Sequence, residues 1–147
     1  MIEIEQLVKK QGGDCTIASL FFLPLYLPST KIYHLEKITR YRKIIQQVLR
    51  PFGEGTYAGS SDVTTELIFD KENDHYLVVN FGWEGEKPVR DCIFHIDIAK
   101  DGKVWIQEDN SDADIASLLI EAGIPESDIV LGFHSPSMRR FLSHAMS

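Results

Sequence analysis

Apolar residues recur along this chain with two different periods, and the change of period divides it. Between Leu35 and Phe52, the residues Ile38, Tyr41, Ile45, Val48 and Phe52 follow a three-four spacing, widened by Ile44 and Leu49. That is the stripe of an amphipathic helix over 35–52. Pro51 and the glycine-rich "FGEGTYAGSS" are expected to stop it and open a flexible loop. From Asp62 the period falls to two. "DVTTELIFD" sets Val63, Thr65, Leu67 and Phe69 on one side, "KEND" turns, "HYLVVNFGW" is rich in β-branched and aromatic residues, and "EGEK" turns again. "VRDCIFHIDIA" alternates, with Cys92, Phe94, Ile96 and Ile98 facing one way and Asp91, Ile93, His95 and Asp97 the other. Asp101-Gly102 marks a hairpin turn. "KVWIQED" then returns, with Val104 and Ile106 opposed to Lys103, Trp105 and Gln107. Four strands with short connections predict an antiparallel meander.

Helical spacing resumes in "NSDADIASLLIEAGI", where Ser111 or Asp112 is placed to cap, Ile115, Leu118 and Leu119 to be buried, and Gly123 to end the helix. "PESDIVLGF" reads as a short helical turn leading into an extended apolar segment, and "SPSMRRFLSHAM" as a last helical turn or two. The expected fold is α+β: an N-terminal helix, a four-stranded antiparallel sheet and C-terminal helices, without βαβ alternation. Residues 1–34 differ in kind. Their apolar run "TIASLFFLPLYLP" is broken by Pro24 and is too short to span a bilayer. Lys9 and Lys10 upstream give it a faint likeness to a secretory leader, opposed by Pro24 and by the lack of a small-residue cleavage site. The expected organisation is an N-terminal extension, 1–34, ahead of one cytoplasmic domain, 35–147, with no membrane segment.

Charge sharpens this picture. The chain of 147 residues carries a formal charge of −7, which on average repels phosphates. Within it, 35–50 holds Lys37, Arg40, Arg42, Lys43 and Arg50 against the single acid Glu36, and an acidic body follows. Arg40, Lys43 and Arg50 are therefore the candidate nucleic-acid contacts. The solvated outer face of any packing helix would look the same, and no helix-turn-helix or zinc-finger pattern strengthens the DNA reading. Cys15 and Cys92 belong to no CxxC or Cys/His pattern, so neither a disulfide framework nor a structural zinc site is expected.

Complete catalytic motifs are missing. Gly53, Gly55 and Gly59 lack the phosphate-binding pattern, and no GxSxG or HExxH run occurs. The best polar constellation lies across the Asp-Gly hairpin, where His95, Asp97, Trp105 and Gln107 should project from one face of two adjacent strands. His134 of "LGFHSP" is a possible further member. An imidazole beside a carboxylate suits acid–base work. As metal ligands His95 and Asp97 are too few for a closed site, and neither metal nor cofactor is expected. A half-buried sheet face, with Trp105 under a helix and its polar groups hydrogen-bonded, accounts for the same residues. Asp109, Asp112 and Asp114 fail the calcium-loop spacing and suit helix capping.

Three stretches, "LEKITRYRKIIQQVL", "DHYLVVNFGWEGEKPVRDCIFHIDIAKDGKVWIQED" and "EAGIPESDIVLGFHSPSMRR", together resemble the XisI family, the fdxN-element excision controlling factors of cyanobacteria. The resemblance runs from Leu35 to the end. It implies a small α+β protein associated with programmed, site-specific DNA excision. It also implies a partner, XisH, of nuclease-like fold. No catalytic residues come with it; His95, Asp97, Trp105, Gln107, Gly132, Phe133 and His134 match its pattern. Members open with Met where Leu35 stands here, so the expectation is a natural start at Leu35 with 1–34 as upstream sequence. The implied function is that of an accessory factor binding a XisH-like protein, with DNA reached indirectly and self-association open. Direct DNA binding through 36–50, as an excisionase-like factor, and a hydrolase or nuclease using His95 and Asp97 are the alternatives.

Overall fold

The computed structural model describes residues 29–54 and 62–142. The chain divides between Glu36 and Lys37 into two units, and apart from residues 29–36 the architecture below is that of the second. The apolar run Thr16–Pro28 lies outside the described residues, as do 55–61 of the expected loop and 143–147. Among the described residues no helix is long and apolar enough to cross a membrane.

Helix α1, Ser29–Gly53, begins ahead of the expected Leu35 and runs through Pro51 rather than stopping there. The fixed φ of proline suits a helix, and in the last turn its missing N–H forfeits a single bond. Tyr41, Ile44, Ile45 and Leu49 are buried, and Ile38, Val48 and Phe52 pack at the margin of the core, as the stripe requires. At the helix end, a Cβ on Gly53 would lie 2.4 Å from the Leu67 side chain, so α1 descends this closely because the residue has none.

The sheet holds five strands in chain order: β1 Val63–Asp70, β2 His75–Glu84, β3 Lys87–Ile98, β4 Val104–Asp109 and β5 Ile129–Leu131. The first four form the expected antiparallel meander. The fifth corrects the expectation: it pairs parallel to β4, from Val104↔Ile129 to Ile106↔Leu131. β4, α2 (Ile115–Glu121) and β5 thus make one βαβ unit where none was expected. The sequence predicts an extended segment here, but three buried apolar residues in a row show no alternation, which is how a strand covered on both faces reads.

One sheet face carries the core. Tyr76, Val78, Phe94, Ile96, Val104 and Ile106 pack there with Ile45 and Leu49 of α1 and Ile115 and Leu119 of α2. Full burial of each such aliphatic or aromatic side chain contributes about 1.5–3 kcal/mol. Capping of α2 departs from the sequence reading. Asp114, not Ser111 or Asp112, accepts from Ser117 N at 3.3 Å, while Asp109 accepts from Ile115 N at 3.2 Å. Gly123, at φ 108, follows the helix as expected. The last helix, α3, is the single turn Pro136–Arg139, capped by Ser135.

Two irregularities shape the face opposite the core. In the β2–β3 ladder Val78 pairs with Phe94 but Val79 with Cys92, so Ile93 is an extra residue in β3. In the β3–β4 ladder Ile96 pairs with Ile106 but His95 with Glu108, so Gln107 is the extra residue in β4. The first bulge overturns part of the expected alternation. It holds from Phe94 to Ile98, but before Ile93 it inverts, and Cys92 lies opposite Val79 while Asp91 lies opposite the buried Asn80.

Candidate functional site

The outer sheet face gathers the polar residues singled out from sequence and adds one. Register places His75 opposite Asp97, and Asp97 opposite Trp105. The Asp97 carboxylate is the centre. Its Oδ1 accepts from His75 Nδ1 at 2.5 Å and from His95 Nε2 at 2.9 Å, and its Oδ2 accepts from Gln107 Nε2 at 3.0 Å. Exposure grades outward: the side chain of Asp97 is 18% exposed, His95 32% and His75 48%. The hydrogen bond His75 donates to Asp97 raises its pKa above the ordinary histidine value, partly offset by desolvation, with Asp97, Asp70 and Asp74 adding through-space attraction.

Gln107 is the extra residue of β4, lies on the face that alternation gives it with Trp105, and reaches Asp97 from there. Gly132 completes the support. It follows β5, donates its N–H to Ile106 O at 2.7 Å, and lies so close under Gln107 that a Cβ there would sit 2.6 Å from Oε1. Trp105 is half-buried on the same face, with the Arg139 guanidinium 5.1 Å from its ring centroid. The expected helix cover over Trp105 is thus a cationic side chain of α3. His95, Asp97, Trp105 and Gln107 do share one face, as the alternation requires.

His134 does not join them. The turn closed by His134 N to Leu131 O at 3.2 Å sets its ring beside Phe133, at 4.5 Å between centroids. The third imidazole-or-carboxylate member is His75 instead. With His95 and Asp97 it places three possible metal ligands within 4.8 Å of one another, correcting the count of two. The pairing of β2 with β3 could have pointed to it, had the bulge at Ile93 been visible.

The basic helix residues have largely local tasks. Arg42 grips Asp74 through two bonds, of 2.6 and 2.8 Å. Lys37 pairs with Asp128 at 2.8 Å, and Arg40 donates to the Gly123 carbonyl at the end of α2. Lys43 and Arg50 remain exposed and form no ion pair with another described residue. At the far end of β3, Asn80, Arg90, Asp91, Cys92, Ile93, Glu108 and Asn110 line a shallow depression of about 440 Å³. Burial, reinforced by Glu108, pushes the Cys92 thiol up to about 12, so it stays protonated and unreactive at neutral pH.

The fold has counterparts among known proteins. The XisI protein family matches residues 35–146. A crystal structure of a XisI-like protein from Anabaena variabilis ATCC 29413 is similar at 33% identity and a TM-score of 0.70, covering 75% of this chain and 99% of that one. A second, the fdxN element excision controlling factor XisI from the same organism, is similar at 36% identity and a TM-score of 0.66, with coverage of 76% and 99%. No curated protein matches. A family match from the second turn of α1 past α3, joined to a shared fold at over 30% identity, decides the grouping: the chain belongs to the XisI family.

Proposed function

We propose that this chain is a controlling factor in the excision of a DNA element, and that it acts by presenting the outer face of its sheet to a protein partner of the XisH kind. Similarity to the fdxN excision controlling factor over nearly all of that protein's length supports the role. One observation carries the mode of action. Ile68, Phe81 and Trp83 stand 45%, 42% and 55% exposed on the face that also holds the His75–Asp97–His95 cluster. Large apolar side chains interleaved with fixed polar groups suit a protein interface. A DNA surface would instead need cations directed at phosphates, and here Arg40, Arg42 and Lys37 are directed at the protein itself.

The test uses the purified full chain and a purified XisH-like protein from the same genome, with nuclease treatment, read by calorimetry. Association is expected in the absence of DNA. Ile68→Asp with Phe81→Asp should weaken it by about 30-fold or more, the scale of a lost hot spot. Lys43→Glu with Arg50→Glu should leave it unchanged. Association that needs DNA, or that fails with the helix pair and survives the sheet pair, sinks the proposal.

A further inference from the structure

We propose that His75, His95 and Asp97 form a binding site for one divalent transition-metal ion of the zinc class, held by two imidazoles and one carboxylate. The donor set selects the ion. Two imidazoles with one carboxylate suit zinc and its first-row neighbours, whereas magnesium and calcium call for oxygen donors throughout. The three donors come from two adjacent hydrogen-bonded strands, so regular backbone rather than a loop sets their spacing.

Distances suit the same ion. Ligand bonds of about 2.0–2.1 Å in a tetrahedron set neighbouring ligand atoms roughly 3.3 Å apart. Here Asp97 Oδ1 lies 2.5 Å from His75 Nδ1 and 2.9 Å from His95 Nε2, and no pair of ligand atoms is separated by more than 4.8 Å. The two short edges must open by about 0.4–0.8 Å to reach roughly 3.3 Å, a displacement within the reach of side-chain rotation. In the arrangement described, imidazole protons link the nitrogens to the carboxylate oxygen. An ion takes the place of those protons, and each imidazole then binds as the neutral ring with its proton carried on the nitrogen turned away from the ion.

The surroundings are those of a ligand site. Gln107 holds Oδ2 of Asp97 at 3.0 Å, which fixes the carboxylate and leaves Oδ1 turned to the imidazoles. Gly132 keeps Gln107 in place from below. His75, with 48% of its side chain exposed, leaves an entry path from bulk water. Three protein ligands leave a fourth position for water or for a donor atom of a bound molecule. The inference stands independently of the docking proposal, since it needs no partner.

The experiment takes the tag-free full chain, stripped with chelator, and titrates it with zinc against a chromophoric chelator and with cobalt(II) under visible absorption. The expected result is one ion per chain, with the visible bands of four-coordinate cobalt. His75→Ala and His95→Ala should each weaken zinc binding at least ~10-fold, in line with loss of one of three ligands, and should abolish the cobalt bands. His134→Ala should leave both readouts unchanged. His75 is the most exposed of the three, so its variant keeps the fold, and circular dichroism checks this. No saturable binding, or affinity in His75→Ala equal to that of the parent, overturns the site.

Discussion

Gly132→Ala offers a direct test of how the outer-face cluster is supported. An added Cβ would meet Gln107 Oε1 at 2.6 Å and Cδ at 3.3 Å, and Ile106 O at 3.0 Å, where ordinary contact begins at 3.4 Å. The Gln107 amide must therefore retreat by about 0.8 Å. Its Nε2, now 3.0 Å from Asp97 Oδ2, belongs to the same amide, so the shift perturbs that hydrogen bond. Overpacking costs about 1–3 kcal/mol, and because the atom met first is the end of a flexible side chain the lower half of that range, about 1–2 kcal/mol, applies. For a chain of this length that lowers the melting temperature by roughly 3–6 °C. Removing Gln107 first should relieve most of the clash, because the remaining contact, with the Ile106 carbonyl, needs only a few tenths of an ångström. A double-mutant cycle of Gly132→Ala and Gln107→Ala, measured by urea denaturation, should then show a coupling of about 1–2 kcal/mol. If the two costs add to within ~0.5 kcal/mol, Gly132 does not support Gln107 and the account of the cluster is wrong.

Two further outcomes test the contacts that fix α1. Asp74 takes two bonds from Arg42 and one from the buried Tyr76 hydroxyl, at 3.2 Å, and its φ of 62° is one that asparagine tolerates. Asp74→Asn thus tests charge rather than backbone, and should cost about 1.5–2 kcal/mol, toward the lower end for a charged hydrogen bond because Arg42 keeps a third of its side chain in water; an unchanged urea midpoint would contradict this. Burial opposes ionisation of Asp128, but Lys37 at 2.8 Å and the Tyr41 hydroxyl at 2.5 Å outweigh it and hold the carboxyl below 3.8. Its contribution to stability is therefore complete above that pH and is lost as the pH falls through the lower folded value. The stability gap between the parent and Asp128→Asn should stay level from about pH 7 to 5 and shrink below about pH 4; a gap that persists there would assign the stabilisation to something other than the charge.

Local pattern carried the elements far better than it carried their partners. The α1 stripe, the three hairpin turns and the shared face of His95, Asp97, Trp105 and Gln107 follow from spacing and turn chemistry, and the structure has them. The fifth strand escaped because Ile129–Leu131 is too short to display a period. The fate of the basic residues escaped for a different reason. Arg42 meets Asp74 across 32 positions and Arg40 meets Gly123 across 83, separations at which composition says nothing about contact. What looked like a phosphate-binding face is in good part a set of local fastenings.

His75 shows the limit most clearly, because its place depends on one residue. The turn between β2 and β3 pairs Glu84 with Lys87, around Gly85 at φ 62. A straight ladder counted back from that turn would set His75 opposite Ile96, a core residue. The extra residue Ile93 moves the register by one, so that His75 meets Asp97 instead. Since a shift of one residue exchanges the two faces of a strand, the same bulge turns Phe94 and Ile96 to the core and His95 and Asp97 to the outside. Gln107 is the extra residue of β4 and reaches the carboxylate from the other side. Neither bulge has a signature in "DCIFHIDI" or "VWIQED", both of which alternate as regular strands do. The cluster is therefore a product of register: its residues are plain in the sequence, and what joins His75 to the others is a one-residue irregularity that only the paired strands reveal.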